Sequence, residues 1–263
     1  MMTGPLARGV VAVGLLALAG ADPSDAATAR TEKLTLRGQE QTLHVYGTPG
    51  GKVAIVTSGD GGWVSLGPDV ADHLADAGYY VVGVDAKAYL SSFTRGDRTL
   101  STSDVPRDYA DFADYAAKSG KGRPVLLGVS EGAGLSVLAA TDPALQAKIA
   151  GVVAMGLPDR NELGWRFRDS MIYVTKKVPN EPLFSARDYV GRVAPVPFAL
   201  FRSSHDEFVP QPESEALWAQ AMEPRRLWAI DAADHRFSDR LPELQHGLTE
   251  ALEWIARQRR PQP

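Results

Sequence analysis

The feature that most constrains the fold of this chain is a series of continuous apolar runs, rich in β-branched residues and spaced by helix-like patterns. VAIVTSG (53–59), YYVVGVDA (79–86), PVLLGVS (124–130), KIAGVVAMG (148–156), PFALFRSS (197–204) and RRLWAID (225–231) lack the alternation of a half-solvated sheet. Strands of this kind are buried on both faces, as in a parallel sheet covered by helices. The intervening patterns predict helices over 66–77, 105–119, 131–141, 212–222 and 240–258. Ahead of them, KLTLRGQEQTLHVYG (33–47) alternates with period two about a central glycine and reads as an antiparallel hairpin. The sum is an α/β fold, one domain over residues 27–263, with a mostly parallel central sheet of about eight strands and helices on both faces.

The first 26 residues stand apart. They carry one positive charge, Arg8, then an apolar stretch from Gly9 to Gly20 and small residues suited to signal peptidase. That stretch is shorter than the ~20 residues a membrane-crossing helix needs. Residues 1–26 therefore read as a secretory signal peptide and predict a periplasmic or secreted protein, with cleavage after Ala21 or Ala26 fitting equally. With no cysteine in the chain, disulfides, thiol catalysis and cysteine-bound metals are excluded. A net charge of −4, without a basic run or an aromatic RNA-binding motif, argues against a nucleic-acid partner. Oligomeric state leaves no trace in the sequence.

One interval breaks the strand–helix rhythm. About forty residues, Leu157 to Pro195, separate two strands where a few would be usual. They include ELGWRFRDSMIYVTKKV, in which Phe167, Met171, Val174 and Val178 share one helical face while Arg166, Arg168, Lys176 and Lys177 lie elsewhere. Two readings stay open: an extra helix packed on the sheet, or a cap insertion over 158–195 covering an active site. In the second, the mixture of apolar bulk and cations suits a lipid head group with attached acyl chains.

GVSEGAG (128–134) is the first motif with chemical content. A G-x-S-x-G arises easily by chance in a chain with 25 glycines, so its context decides. Here it ends a buried strand and opens a small-residue helix, with Gly128 and Gly132 where side chains would clash in a tight strand-to-helix turn. Such a turn presents Ser130 as a nucleophile, with a helix N-terminus aimed at the charge that develops beside it. A serine hydroxyl also needs a general base, itself oriented by a third group. In this arrangement the partners follow in the order serine, acid, histidine, each after a later strand. HDEFVP follows PFALFRSS, making Asp206 the acid and Glu207 the alternative; AADHRFS follows RRLWAID, making His235 the base. His44, His73, His205 and His246 do not stand in the loop after the last strand. The oxyanion donors are then the N–H of Glu131 and, in SGDGGW, the N–H of Asp60, whose carboxylate is expected to turn away. Lacking a following G-K-[ST], SGDGGW does not read as a nucleotide phosphate loop. No H-E-x-x-H or similar metal cluster occurs, and the chemistry calls for no metal or cofactor.

VAIVTSGDGGWVSLGPDVADHLADAGYYVVGVDAKAYL (53–90) and GVSEGAG together resemble the VirJ/AcvB family of periplasmic virulence-associated proteins, within the α/β-hydrolases. The likeness covers about a third of the chain beyond the signal. It implies an α/β-hydrolase fold and cleavage of the aminoacyl ester of aminoacyl-phosphatidylglycerol, lysyl or alanyl, with peripheral contact at a membrane surface. The family commonly places an aromatic residue after the nucleophile, where this chain has Glu131. An acidic residue there suits a substrate with a free ammonium, although a solvent-exposed helix-start glutamate is the commoner explanation. Asp85 is a second expected amine contact or else a helix cap; Gly61, Trp63 and Trp165 are further expected substrate contacts, and Lys87 is a phosphate contact or solvated. Two other functions stay open: a carboxylesterase for small soluble esters, and a non-catalytic binding protein of the envelope or secretion machinery on a hydrolase fold.

Overall fold

The computed structural model describes residue 1 and residues 29–166 and 181–258. The expected signal peptide lies outside the described residues apart from Met1, as does most of the expected cap helix.

Ten strands occur among the described residues: β1 (Arg30–Leu36), β2 (Gln39–Tyr46), β3 (Lys52–Thr57), β4 (Tyr79–Val84), β5 (Lys121–Val129), β6 (Gly151–Met155), β7 (Arg160–Glu162), β8 (Leu183–Ser185), β9 (Phe198–Ser203) and β10 (Arg225–Ile230). Eight of them form one sheet in the order β1-β2-β4-β3-β5-β6-β9-β10, and β7 and β8 pair separately. Only the β1–β2 and β2–β4 pairs of the large sheet are antiparallel. The expected mostly parallel sheet of eight strands is what forms. Helices α1 (Leu66–Asp76), α2 (Ala86–Phe93), α3 (Asp104–Ala117), α4 (Glu131–Ala139), α5 (Pro143–Gln146), α6 (Arg187–Val190), α7 (Gln211–Gln220) and α8 (Leu241–Gln258) connect or flank the strands.

The continuous apolar runs make sense once both faces are seen to be covered. Along β3, Val53 and Ile55 join a core with Tyr109 and Phe112 of α3 and Leu135 and Leu138 of α4. The alternate residues Ala54 and Val56 join a second core with Val70 and Leu74 of α1 and Leu248 and Ile255 of α8. Removing apolar side chains from water on both faces is what makes the parallel sheet stable.

Two local readings need correction. Glu162, expected to begin a helix, instead ends β7, and Leu163–Arg166 are not helical. Pairing of Arg160, Asn161 and Glu162 with Ser185, Phe184 and Leu183 supplies long-range ladder contacts that override the local amphipathic pattern. Helix α2 was hidden because the apolar run of β4 leads straight into it. Ala86, Tyr89 and Leu90 are its buried residues, at helical rather than strand spacing.

Because β3, β5, β6, β9 and β10 run parallel, their carboxyl ends share one edge of the sheet. The loops leaving that edge carry Asp60, Ser130, Asp206 and His235.

Candidate functional site

Between β5 and α4 the chain reverses at a single residue. Ser130 has φ 51° and ψ −118°, a left-handed conformation that costs an L-residue of order 1–3 kcal/mol. Close packing around the turn enforces it. A Cβ on Gly128 would fall 2.2 Å from the Gly132 carbonyl oxygen, and one on Gly132 would fall 2.3 Å from the Thr57 carbonyl oxygen. The two glycines therefore let α4 start directly against the ends of β3 and β5. Backbone bonds lock the turn: the Ser130 N–H donates to the Met155 carbonyl at 2.9 Å, and the Ala133 N–H donates to the Ser130 carbonyl at 2.8 Å.

Asp206 and His235 arrive from the next two strand ends and meet. Asp206 Oδ2 lies 2.6 Å from His235 Nδ1, with the side chains 3% and 9% exposed. The other oxygen, Oδ1, accepts the N–H groups of Phe208 at 2.9 Å and Val209 at 2.7 Å, so the carboxylate is held at both ends. A carboxylate can only accept, which places the imidazole proton on Nδ1 and leaves Nε2 as an acceptor. Nε2 is buried and has no hydrogen-bond partner among the described residues. Phe208 packs edge-on against the ring at 5.4 Å between centroids. A Cβ on Gly156 would sit 2.6 Å from His235 Cε1, so the absence of a side chain at the end of β6 makes room for the imidazole.

Glu207 contacts the histidine loop differently from Asp206. Its Oε2 accepts the backbone N–H of His235 at 2.9 Å, fixing the loop rather than the ring. Sequence reasoning kept Glu207 as an alternative acid and missed this tether. His205 turns away, with Nδ1 3.1 Å from the Ala232 carbonyl oxygen.

Ser130, Glu131, Asp60, Gly61 and His235 line one cavity of about 250 Å³, together with the apolar Leu183, Phe208 and Val64 and the charged Arg160, Glu162 and Arg236. Asp60 is one of the residues lining this cavity, and its charge acts on the Glu131 carboxyl. Gly59 stands against Ser130, its Cβ position 3.4 Å from Ser130 Cβ. As the first residue of α4, Glu131 has an N–H with no intrahelical acceptor. The expected solvent-exposed glutamate is instead buried, at 6% exposure, and Oε1 accepts the Glu162 N–H at 2.6 Å. Burial first, then the nearby Glu162 and Asp60 charges, push the Glu131 carboxyl well above its ordinary range.

Three expected substrate contacts lie away from the cavity. Asp85 caps α2, accepting the Ala88 N–H at 2.9 Å, and its other oxygen accepts the Trp63 N–H at 3.1 Å. It thereby fastens the SGDGGW loop, where Gly62 at φ 96° passes against the carboxylate. Trp63 is packed into the scaffold: its ring stacks on His44 at 4.8 Å, its indole N–H donates to Tyr46 Oη at 3.0 Å, and Gly83 of β4 makes room for it. Trp165 donates its N–H to Thr94 Oγ1 at 3.1 Å, and Lys87 Nζ lies 4.5 Å over its ring. Gly61 and Glu131 are the expected substrate contacts that border the cavity.

Solved structures of esterases and related hydrolases share this architecture almost end to end. Est1E from Butyrivibrio proteoclasticus superposes with a TM-score of 0.63 at 14% identity, covering 86% of this chain and 99% of that one. The chain has the α/β-hydrolase fold. Other α/β-hydrolase structures agree: a membrane phospholipase A described as a bacterial virulence factor matches at TM-score 0.64 and 14% identity, covering 88% of each chain. A putative dienelactone hydrolase from Klebsiella pneumoniae matches at 0.64 and 17%, covering 87% and 98%. Residues 51–164 match the model of a family described as bacterial virulence protein (VirJ). Among curated proteins, the uncharacterized protein YfhR of Escherichia coli is 37% identical over 59 residues, which span about a fifth of either chain.

Proposed function

We propose that this α/β-hydrolase is a serine ester hydrolase working through an acyl-enzyme. The observation that carries the reading is the contact of Asp206 with His235 Nδ1, which leaves the imidazole Nε2 unpartnered in a cavity shared with a strained Ser130. In this reading Ser130 Oγ attacks the ester carbonyl and His235 Nε2 takes its proton. Asp206 holds the tautomer and stabilises the imidazolium that forms. The N–H groups of Glu131 and Asp60 receive the oxyanion, and His235 then returns the proton to the departing alcohol. Water, deprotonated by the same histidine, releases the acyl group.

For the substrate, the proposal is the aminoacyl ester of aminoacyl-phosphatidylglycerol, lysyl or alanyl, in the bacterial envelope. Its supports are the match of residues 51–164 to the VirJ family and a cavity of about 250 Å³ among the described residues. That volume suits an aminoacyl or short acyl group rather than a long fatty chain. Secretion through the signal expected in residues 1–26 would bring the enzyme to such lipids, with contact at the membrane surface. The same small cavity favours a second reading, a carboxylesterase for small soluble esters.

Purified protein and Ser130→Ala are incubated with lysyl- and alanyl-phosphatidylglycerol vesicles and with p-nitrophenyl acetate. The expected result is amino-acid release by the wild type and a loss of at least ~10³-fold in kcat on both substrates for the variant. Fast acetate cleavage without amino-acid release would leave the soluble-ester reading in place of the lipid one. Equal rates for wild type and variant would remove catalysis by Ser130 altogether.

A further inference from the structure

The Glu131 side chain is buried although its residue opens a helix, a place where glutamates ordinarily face water. What holds it is the Glu162 N–H, donated to Oε1 at 2.6 Å. Glu162 ends β7, whose other neighbour in the chain direction, Asn161, is fully buried against the same helix. A Cβ on Gly134 of α4 would fall 1.8 Å from Asn161 Oδ1. Among the described residues β7 pairs with β8 alone, so a ladder of three residue pairs leaves its outer edge without a strand partner there. The Glu131 carboxyl supplies the acceptor that a third strand would otherwise provide. This same hairpin lends Arg160, Glu162 and Leu183 to the cavity.

We propose that the Glu131 side chain is a positioning residue, fastening the β7–β8 hairpin to the turn that carries Ser130 so that the cavity wall and the Glu131 N–H are held in one register. The covalent neighbour of the nucleophile thus grips the base of the insertion from one side while its backbone faces the oxyanion from the other. A shift of the hairpin is transmitted to the first turn of α4 through one short hydrogen bond. The kinetic consequence rests on the hydrolase reading; the tether itself does not.

Two variants separate acceptor from bulk: Glu131→Gln keeps a carbonyl at the Oε1 position, and Glu131→Met keeps the length without an acceptor. Amide hydrogen exchange at Glu162 is expected to be slow in wild type and Glu131→Gln and at least ~100-fold faster in Glu131→Met. With p-nitrophenyl acetate, kcat of Glu131→Met is expected about tenfold below that of Glu131→Gln, with KM changed by less than about twofold, since the Glu131 N–H meets an oxyanion that develops only after the ester is bound. Equal kcat in the two variants would overturn the proposal, as would rapid exchange of the Glu162 amide in the wild type. If Glu131→Met does not fold, the wild-type amide decides: it is expected to exchange with the protected amides of β7 and β8, and exchange at the rate of an open loop refutes the tether. A wild type inactive on every ester would sink the hydrolase reading while leaving the exchange result to stand on its own.

Discussion

Asp206 meets His235 through one oxygen while the other is pinned by two backbone N–H groups. An amide at this position could present its NH₂ to Nδ1 and stabilise the wrong tautomer. Asp206→Asn is therefore expected to lower kcat on p-nitrophenyl acetate by about 10³- to 10⁴-fold with little change in KM. Glu207→Gln, which can still accept the His235 N–H, is expected to lose less than about tenfold; similar losses in the two variants would contradict the assignment of the acid. Glu131 makes a prediction about stability. Its raised folded-state pKa, caused by burial, then by Glu162 and Asp60, means that its neutral form favours folding. That contribution is complete below the ordinary carboxylate pKa and is lost as pH rises through the raised folded value. The groups facing it are Glu162 on β7, Asp60 on the loop after β3, and Tyr109 on α3. Glutamine cannot ionise, so the melting temperature of Glu131→Gln minus that of wild type is expected to grow as pH goes from 4 to 8. A difference constant with pH would show that the carboxyl is not held neutral. The placement of Ser130, Asp206 and His235 after three strands was legible because each follows a continuous apolar run. The burial of Glu131 was not, since its partner lies thirty-one positions on in a strand that local pattern read as helix.

α4 is buried at every position from Glu131 to Ala139, which small residues permit by letting it lie tightly between the sheet, α3 and β7. The cost of any added bulk follows from that contact. Gly132→Ala would bring a methyl to 2.3 Å from the Thr57 carbonyl oxygen and 2.4 Å from that of Ser58, backbone atoms that cannot rotate away. The substitution is expected to destabilise by about 3 kcal/mol, or roughly 6–12 °C in melting temperature by calorimetry. It should also lower kcat by displacing Ser130; an unchanged melting temperature would mean that the turn is looser than this packing implies. Among the connecting elements, the SGDGGW loop is held at two points, Asp85 to the Trp63 N–H and the Trp63 ring against Gly83. The helix-cap alternative for Asp85 is the one found, at α2, whereas the seat of the Trp63 ring against His44, Tyr46 and Gly83 depended on β2 and β4 meeting it in space.

Across the molecule, parallel strands deliver four loops to one edge, and the cavity they enclose is small. A site of about 250 Å³ among the described residues should discriminate by acyl length. In a series of p-nitrophenyl esters, kcat/KM is expected to be highest for acetate to butyrate and to fall at least ~100-fold by the palmitate, each methylene beyond the cavity gaining no burial. A flat series would argue that the acyl chain leaves by another route. The sequence by itself determined the fold class, the order in which Ser130, Asp206 and His235 leave successive strand ends, and the need for glycine on both sides of Ser130. Each of these follows from short-range rules: strand burial, turn sterics and the sense of parallel connections. Only the tertiary structure decided that Glu207 tethers a backbone, that Asp85 and Trp63 belong to the scaffold, that Glu131 is buried, and how much space remains above Ser130. Those outcomes depend on which distant segments pack against one another, and the free energy of burying or pairing a side chain belongs to that packing rather than to its neighbours in the chain.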